Sequence, residues 1–222
     1  MNYTFLSDTR LFRGSSESEI EAMLSCLSAV TRRYKKGEII YHTGEIIENI
    51  GVVLSGGVNI EHDDYWGNTS LISYAAPGMI FGETYACLTG VPLMINVVAD
   101  ADTQILFLNV SKIMQTCSST CTHHSTLIKN LLDISAHKNL QLSRRILHTS
   151  YKKIRDRLLS YFLEQQKING TSHFTIHFNR QQLADYLNVD RSAMCNELSS
   201  MQKDGLLSYD KNTITLNNVN EV

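Results

Sequence analysis

The spacing of apolar positions changes character twice along this chain. Ser16 and Glu19 are placed as the two halves of a capping box. Behind them Ile20, Met23, Leu24 and Leu27 recur at helical intervals and predict a short amphipathic helix. From about Arg33 the period shortens. Runs rich in β-branched and aromatic residues, at 38–41, 50–54, 58–61, 69–74, 95–99 and 104–108, alternate with turns that carry Gly37, Gly44, Gly51, Gly56-Gly57, Gly67, Pro77-Gly78, Gly82 and Gly90. Strands this short and this regularly punctuated predict a closed or rolled all-β domain. Around Cys121 the helical period returns. No Gly or Pro interrupts the stretch from His124 to about His148, about 25 residues against a mean helix of roughly 11–12. Leu127, Leu131 and Ile134 form one stripe on it, with Ile128, Leu132, Leu142 and Ile146 beside them. A long helix with this much apolar surface is expected to hold a dimer, with Leu127, Leu131 and Ile134 at the seam. The alternative is a helix packed only on its own β domain.

Ser150-Tyr-Lys-Lys153 opens a further helix with Ile154, Leu158, Leu159 and Phe162 on its apolar side, ended by Asn169-Gly170. Phe174, Ile176 and Phe178 alternate with Thr175 and His177 as a half-buried strand. Two helices joined by a very short turn come next. Leu183 and Leu187 mark the apolar face of the first, and Met194, Leu198 and Met201 that of the second. Ala184 is small where two crossing helices touch, Asn188 tolerates a positive φ at the turn, and Asp190 can cap the second helix. A plain helical hairpin shares the apolar spacing but has no need of those three residues. The pattern predicts a helix-turn-helix whose second helix enters a DNA major groove. Asp204-Gly205 is a stop, and Leu206–Ser208 and Thr213–Leu216 around Asp210-Lys-Asn212 predict a hairpin wing.

Composition adds little to the fold but bounds the function. The 222 residues suffice for one large or two modest domains. No apolar run approaches a membrane span and no secretion signal is visible, so a cytoplasmic protein without membrane contact is expected. Five irregularly spaced Cys (Cys26, Cys87, Cys117, Cys121, Cys195) suit a reducing compartment rather than a disulfide framework. Net charge is −2, unevenly spread: residues 1–143 hold 9 Lys and Arg against 14 Asp and Glu, and residues 144–222 hold 11 against 8. The basic balance falls in the part that carries the helix-turn-helix, as phosphate contact requires.

A Gly-punctuated β-roll, a long helix and a winged helix-turn-helix, in that order, resemble the Crp/Fnr family of bacterial transcription regulators. The resemblance spans the chain and is strongest in Tyr34-Lys-Lys-Gly-Glu-Ile-Ile-Tyr-His-Thr-Gly-Glu45, Leu54-Ser-Gly-Gly-Val58, Phe81-Gly-Glu83 and 180–198. The expected fold is α+β: a β-roll (a double-stranded β-helix or jelly roll) as effector domain over residues 1–123, a dimerisation helix over 124–148 and a winged helix-turn-helix DNA-binding domain over 149–222. The resemblance implies a homodimer that binds a small effector in the roll and a double-stranded operator through two recognition helices, with RNA polymerase as a partner if it activates. Arg191 falls where the family places its first base-contacting residue; two donors there suit guanine, and a phosphate contact is the alternative. Ser192 and Asn196 occupy the next base-facing positions, where many members carry Glu and Arg, so the operator is expected to differ from theirs. Asn179 and Gln181 match positions that touch the DNA backbone.

The effector pocket departs from the cyclic-nucleotide-binding members. In those, Gly-Glu is followed about ten residues on by an Arg that pairs with the phosphate; here Leu93 or Met94 stands at that position. From Gly37 to Ser111 there is no Lys or Arg at all, against nine acids. A buried phosphate without a partner costs several kcal/mol, so cAMP is not expected and no cofactor is assigned. A pocket of Leu71, Tyr74, Gly82, Glu83, Tyr85, Leu93 and Met94 suits a neutral or cationic small molecule, or none.

Three other chemistries have partial support in the residues present. Cys117, Cys121 and His124 have a spacing that could hold a soft metal or sense redox state, although the C-x₂-C of common zinc sites is absent and two idle thiols are the simpler reading. An Fnr-type iron–sulfur cluster needs an N-terminal set of Cys, and only Cys26 precedes Cys87; on the apolar side of a short helix it reads as a small core hydrophobe. A cupin-like metalloenzyme needs clustered ligands, whereas His42 and His62 are isolated and no nucleophile elbow or phosphate loop occurs, so no enzyme is expected.

Overall fold

The computed structural model describes residues 1–67, 69–114 and 122–217, and the side chains of Thr122 and His123 are outside that description. The chain divides into two compact units, Met1–His137 and Lys138–Val222. The long helix is therefore no segment of its own: its first half belongs to one unit and its second half to the other. None of the helices described is long and apolar enough to cross a membrane.

In the first unit α1 (Tyr3–Ser7) and α2 (Glu17–Cys26) precede eight strands. These are β1 (Val30–Tyr34), β2 (Ile39–Tyr41), β3 (Asn49–Ser55), β4 (Val58–Asp63), β5 (Thr69–Ala75), β6 (Ile80–Phe81), β7 (Asn96–Ala99) and β8 (Thr103–Asn109). A short α3 (Glu83–Ala86) follows β6, α4 (Val110–Met114) follows β8, and α5 (Thr122–Thr149) begins after it. The strands form two antiparallel sheets, β1-β8-β3-β6 and β2-β7-β4-β5, which is the expected roll. The capping box of α2 is present, with Ser16 Oγ accepting from Glu19 N and Glu19 accepting from Ser16 N at 2.8 Å. Its buried face is Ile20, Met23 and Leu24, with Leu27 just beyond. Cys26, expected in that core, is exposed instead, because it lies a quarter-turn away from Leu27.

Alternation along β3 and β8 builds two cores on opposite faces of one sheet. Val53, Ile105, Phe107 and Phe81 face the interior, where they meet Val58, Ala75, Val97 and Ala99 of the other sheet. Ile50, Val52, Leu106 and Leu108 face outward and are covered by Leu6, Leu11, Phe12, Ile20, Met23 and Leu27. The same outer core takes Leu127, Leu131 and Ile134 of α5, which are 1%, 5% and 7% exposed. The stripe expected at a dimer seam is thus packed on its own β domain. The large apolar residues of α5 left in the open are Leu132, Leu140, Leu142, Ile146 and Leu147.

Two glycine positions are fixed by close approach. Gly51 pairs with Phe81 across β3 and β6, and a Cβ there would enter the Phe81 ring. At the Gly56-Gly57 corner, Gly56 has φ +80°, and the buried Thr103 hydroxyl donates to Gly57 O at 2.9 Å and accepts from Gly57 N at 3.1 Å. The tip between β4 and β5 carries Tyr65 and Trp66, 96% and 82% exposed, ring against ring at 6.0 Å.

The second unit takes the last part of α5, then α6 (Ile154–Asn169), β9 (His173–Thr175), α7 (Arg180–Leu187), α8 (Arg191–Lys203), β10 (Leu207–Asp210) and β11 (Thr213–Leu216). The wing is a three-stranded sheet of order β10-β11-β9. Leu158, Phe162, Leu183, Leu187, Met194, Leu198, Met201 and Ile214 form its core. The helix expected from Ser150 begins only at Ile154, since Lys153 is its extended N-cap.

Because Leu131 belongs to the outer core, Leu131→Asp is expected to unfold the first unit, at a cost of at least about 3 kcal/mol for an unpaired buried charge. Urea unfolding followed by far-ultraviolet circular dichroism checks this; a variant of native stability that merely changes its oligomeric state would contradict it.

Candidate nucleic-acid interface and effector domain

The helix-turn-helix is built from local capping chemistry. Asn179 caps α7, its Oδ1 accepting from Gln182 N at 2.9 Å, while Gln182 Oε1 accepts from Asn179 N at 2.9 Å. The helix ends at Asn188, which takes the left-handed conformation (φ 54°, ψ 56°) that Asn tolerates. Two residues on, Asp190 caps α8 through a 2.8 Å bond from Ala193 N. Ala184 and Leu187 are fully buried where the helices cross.

This arrangement leaves Ser192 and Asn196 on the side of α8 opposite Met194, Leu198 and Met201, and Arg191 exposed in its first turn. Arg191 and Ser192 stand at its N-terminal end, where the free backbone N–H groups also favour anions. Asn179 and Gln181 are exposed as well, but both already have work within the chain. Asn179 is the cap, and Gln181 Nε2 donates to Asp185 Oδ1 at 2.8 Å.

Arginines that no sequence motif marks hold this arrangement in place. Arg157 donates to the carbonyls of Leu187 and Asn188 at 3.0 and 2.9 Å, and to Tyr151 O at 2.7 Å. Arg145 donates to Tyr186 O at 3.0 Å and Asp185 O at 2.8 Å, with its guanidinium over the Tyr186 ring. Between them they satisfy the last carbonyls of α7, which a helix end otherwise leaves to water. Arg155 joins α6 to the recognition helix through Glu197 at 2.6 Å and Asp204 at 2.7 Å. Arg180 stacks on Tyr209 of the wing at 4.8 Å and donates to Lys211 O at 2.8 Å. His148, 1% exposed, bridges Ser160 at 2.8 Å and Glu164 at 2.7 Å, and Glu164 also pairs with Arg144 at 2.9 Å. Much of the basic excess counted in the sequence is therefore structural. The only available signal was the clustering of Arg144, Arg145, Arg155 and Arg157 around one helix junction.

In the first unit the expected effector residues only partly converge. Gly82, at φ +79°, is the left-handed residue that opens α3, and Glu83 is buried just inside it. The Tyr85 hydroxyl accepts from Met94 N at 3.4 Å, which ties α3 to the segment before β7. Leu93 is 2% exposed, with its backbone bonded to Glu45 O at 2.8 Å and Gly44 N at 2.7 Å. Met94 is 69% exposed. Leu71 and Tyr74 do not join this group. Tyr74 precedes Ala75, whose side chain is in the interior core, so alternation turns Tyr74 outward, where it lies against Gly57. Leu71 is 62% exposed opposite Glu61, at an irregularity in the β4–β5 register.

Cys117 and Cys121 lie outside the described residues. His124 is 5% exposed, and neither ring nitrogen has a hydrogen-bond partner among the described residues. Among those residues no group of three or more His, Cys, Asp or Glu is placed to hold a metal. The Cys87 thiol is pushed above its ordinary range by burial and then by Glu83.

Comparison with known proteins agrees with this division. Residues 31–120 match the family model of the cyclic nucleotide-binding domain, and residues 156–221 match that of the Crp-like helix-turn-helix domain. The chain is similar to the catabolite activator protein of Thermus thermophilus, with 20% identity, 94% of each chain covered and a TM-score of 0.52. It is also similar to CLP, the c-di-GMP-responsive global regulator of Xanthomonas campestris, with 18% identity, 90% of this chain and 99% of that one covered and a TM-score of 0.56. For CprK complexed with OCPA the identity is 14%, the coverage 91% and 93%, and the TM-score 0.58. No curated protein matches the sequence. At such identities the structural likeness speaks for the fold, while the two domain matches, in this order and together spanning most of the chain, identify it as a member of the Crp/Fnr family of transcription regulators.

Proposed function

We propose that this regulator binds a near-palindromic operator as a homodimer, with Arg191, Ser192 and Asn196 reading bases in each half-site, and that its effector is not a cyclic nucleotide. The observation that supports the first part is the joint exposure of these three side chains on the N-terminal half of α8, Ser192 and Asn196 on the side away from its buried face and Arg191 in its first turn. Arg191 at the helix start can present two donors to guanine, and Asn196 can pair bidentately with adenine. Arg191→Ala is expected to cost about 1–3 kcal/mol on the cognate site and to flatten preference at one base pair per half-site. Selection of bound DNA from a random pool, followed by affinity measurement on the selected sites, reads both. Equal weakening on every sequence would reduce Arg191 to a phosphate contact.

We propose that the dimer forms through the more open face of α5, of which Ile128 also packs against the outer core of its own domain. Ser125, Leu132, Asn139 and Ile146 recur every seven residues, with Ile128, Ser135, Leu142 and Thr149 interleaved at three and four. Leu132, Leu142 and Ile146 are 68%, 61% and 68% exposed. That is an a/d seam, and a polar Asn at one a position fixes register at some cost in stability. Leu132→Asp is expected to give a folded monomer with greatly weakened operator binding, in contrast to the unfolding expected from Leu131→Asp. Sedimentation velocity decides; a dimer that survives Leu132→Asp moves the interface elsewhere.

The effector reading rests on Leu93 and Met94. Of the two residues that can stand at the position of the family's phosphate-pairing Arg, Leu93 is sealed from solvent with its backbone committed to the preceding loop and Met94 is exposed, and neither carries a charge. A phosphate beside them would have to be desolvated without a cation. Titration calorimetry with cAMP and cGMP is expected to show no saturable heat, and micromolar binding of either would overturn this reading.

A further inference from the structure

The sequence contains no Lys or Arg between Gly37 and Ser111, yet the fold brings one in from just outside that stretch. A cavity of about 130 Å³ opens beside β1 and β8, lined by Ser28, Arg32, Tyr34, Tyr41, Asn49 and Phe107. None of its lining residues belongs to the Gly82–Met94 region, although Tyr41 and Asn49 lie within 4 Å of the Cβ position of Gly82. No acid lines it, although the segment from Gly37 to Ser111 holds nine.

The walls divide into an apolar body and a polar mouth. Phe107 lies edge-to-face with both Tyr41 and Tyr34, at 5.8 and 6.4 Å between ring centres. Tyr41 is anchored by its hydroxyl, which donates to Asn49 O at 3.0 Å; burial holds that proton well above the ordinary phenol range. Arg32 reaches over the Phe107 ring, with its guanidinium carbon 5.9 Å from the centre. Among the described residues Arg32 has no carboxylate partner, whereas nearby Lys35 is paired with Asp102 at 2.8 Å. The Tyr34 hydroxyl and the Asn49 amide likewise make no side-chain hydrogen bond among the described residues. At the same mouth Lys112 Nζ donates to Ser28 Oγ at 2.5 Å, which brings a second cation to the rim.

From this arrangement we infer that the cavity is a binding site for a small organic monocarboxylate, with its apolar body against Phe107 and Tyr41 and its carboxylate on Arg32. An uncommitted guanidinium offers a carboxylate two parallel bonds. Tyr34 and Asn49 supply further donors, and the aromatic wall excludes a fully hydrated ion. The volume limits the ligand: an apolar protein cavity of about 150 Å³ holds benzene, so a single ring or short branched chain fills this one. The size also sets it apart from a nucleotide. The inference goes beyond the reading of the regulator above, since it concerns ligand binding to the free protein.

The test is titration of the full chain, without DNA, with benzoate, benzyl alcohol and inorganic phosphate, followed by calorimetry and by the Arg32 Nε–Hε resonance. Benzoate is expected to saturate and to shift that resonance; benzyl alcohol and phosphate are each expected to bind at least about tenfold more weakly. Arg32→Gln, at an exposed position, should weaken benzoate about 10- to 100-fold, the range for loss of a charge-assisted hydrogen bond. Val30→Phe, in a half-exposed residue at the mouth, should weaken it while leaving every charge in place. Absence of saturable benzoate binding, equal binding of benzyl alcohol or phosphate, or full retention of affinity in either folded variant would each overturn the assignment. Thermal melts confirm that both variants fold, and either one suffices.

Discussion

Burial of a single stripe of α5 completes the first unit. A helix of 28 residues with apolar groups on two sides has to place one side against something. Leu127, Leu131 and Ile134 go under the outer face of the β1-β8-β3-β6 sheet, where they complete a core already half built by α1, α2 and the Leu11–Phe12 loop. Each such side chain removed from water contributes roughly 1.5–3 kcal/mol, so this face is not available for exchange with a partner. The choice is made inside one chain and leaves a second, weaker and more polar stripe exposed. A surface of that kind suits reversible association.

The recognition motif depends on a different force. Its turn is short because Asn188 accepts a left-handed backbone, but a turn that short exposes the carbonyls at the end of α7. Arg145 and Arg157 supply the missing donors from α5 and α6, so the orientation of the reading helix is fixed by charge-assisted bonds to backbone oxygens rather than by side-chain packing alone. Lysine could not do the same, since it lacks the planar fork that spans two carbonyls.

Local chemistry was readable in the sequence; the partners of each surface were not. Capping at Ser16 and Asp190, the turn at Asn188 and the alternation of six strands are decided by residues within a few positions of one another, and each stands where its spacing placed it, whereas the cap at Asn179 was not read from its spacing to Gln182. Strands β1 and β6 were not anticipated, because Val30–Tyr34 carries two arginines and Ile80–Phe81 is too short to show a period. The assignment of the dimer stripe failed for a physical reason. Period shows that a helix has an apolar face but not what covers it, and the covering residues Leu6, Leu11 and Phe12 lie more than a hundred positions away. Tyr74 was misplaced by parity, since in a strand a shift of one residue exchanges inside and outside. The want of cations between Gly37 and Ser111 was correctly counted, but a count along the chain could not show Arg32 and Lys112 arriving at the rim of one cavity from either end of that stretch.

The position of Trp66 bears on how this protein can be observed. The chain has one tryptophan and ten tyrosines. The indole stands almost wholly in solvent at the tip between β4 and β5, while Tyr161 is buried among Phe162, Phe178 and Tyr186 in the second unit. Emission excited through the indole alone therefore starts from a water-like environment in the native protein and changes little when either core melts. It is a local label on one hairpin, supplied by the sequence itself. Unfolding of either unit registers instead in the tyrosine bands of the near-ultraviolet, since Tyr41 is packed against Phe81 and Phe107 in the first unit as Tyr161 is packed in the second.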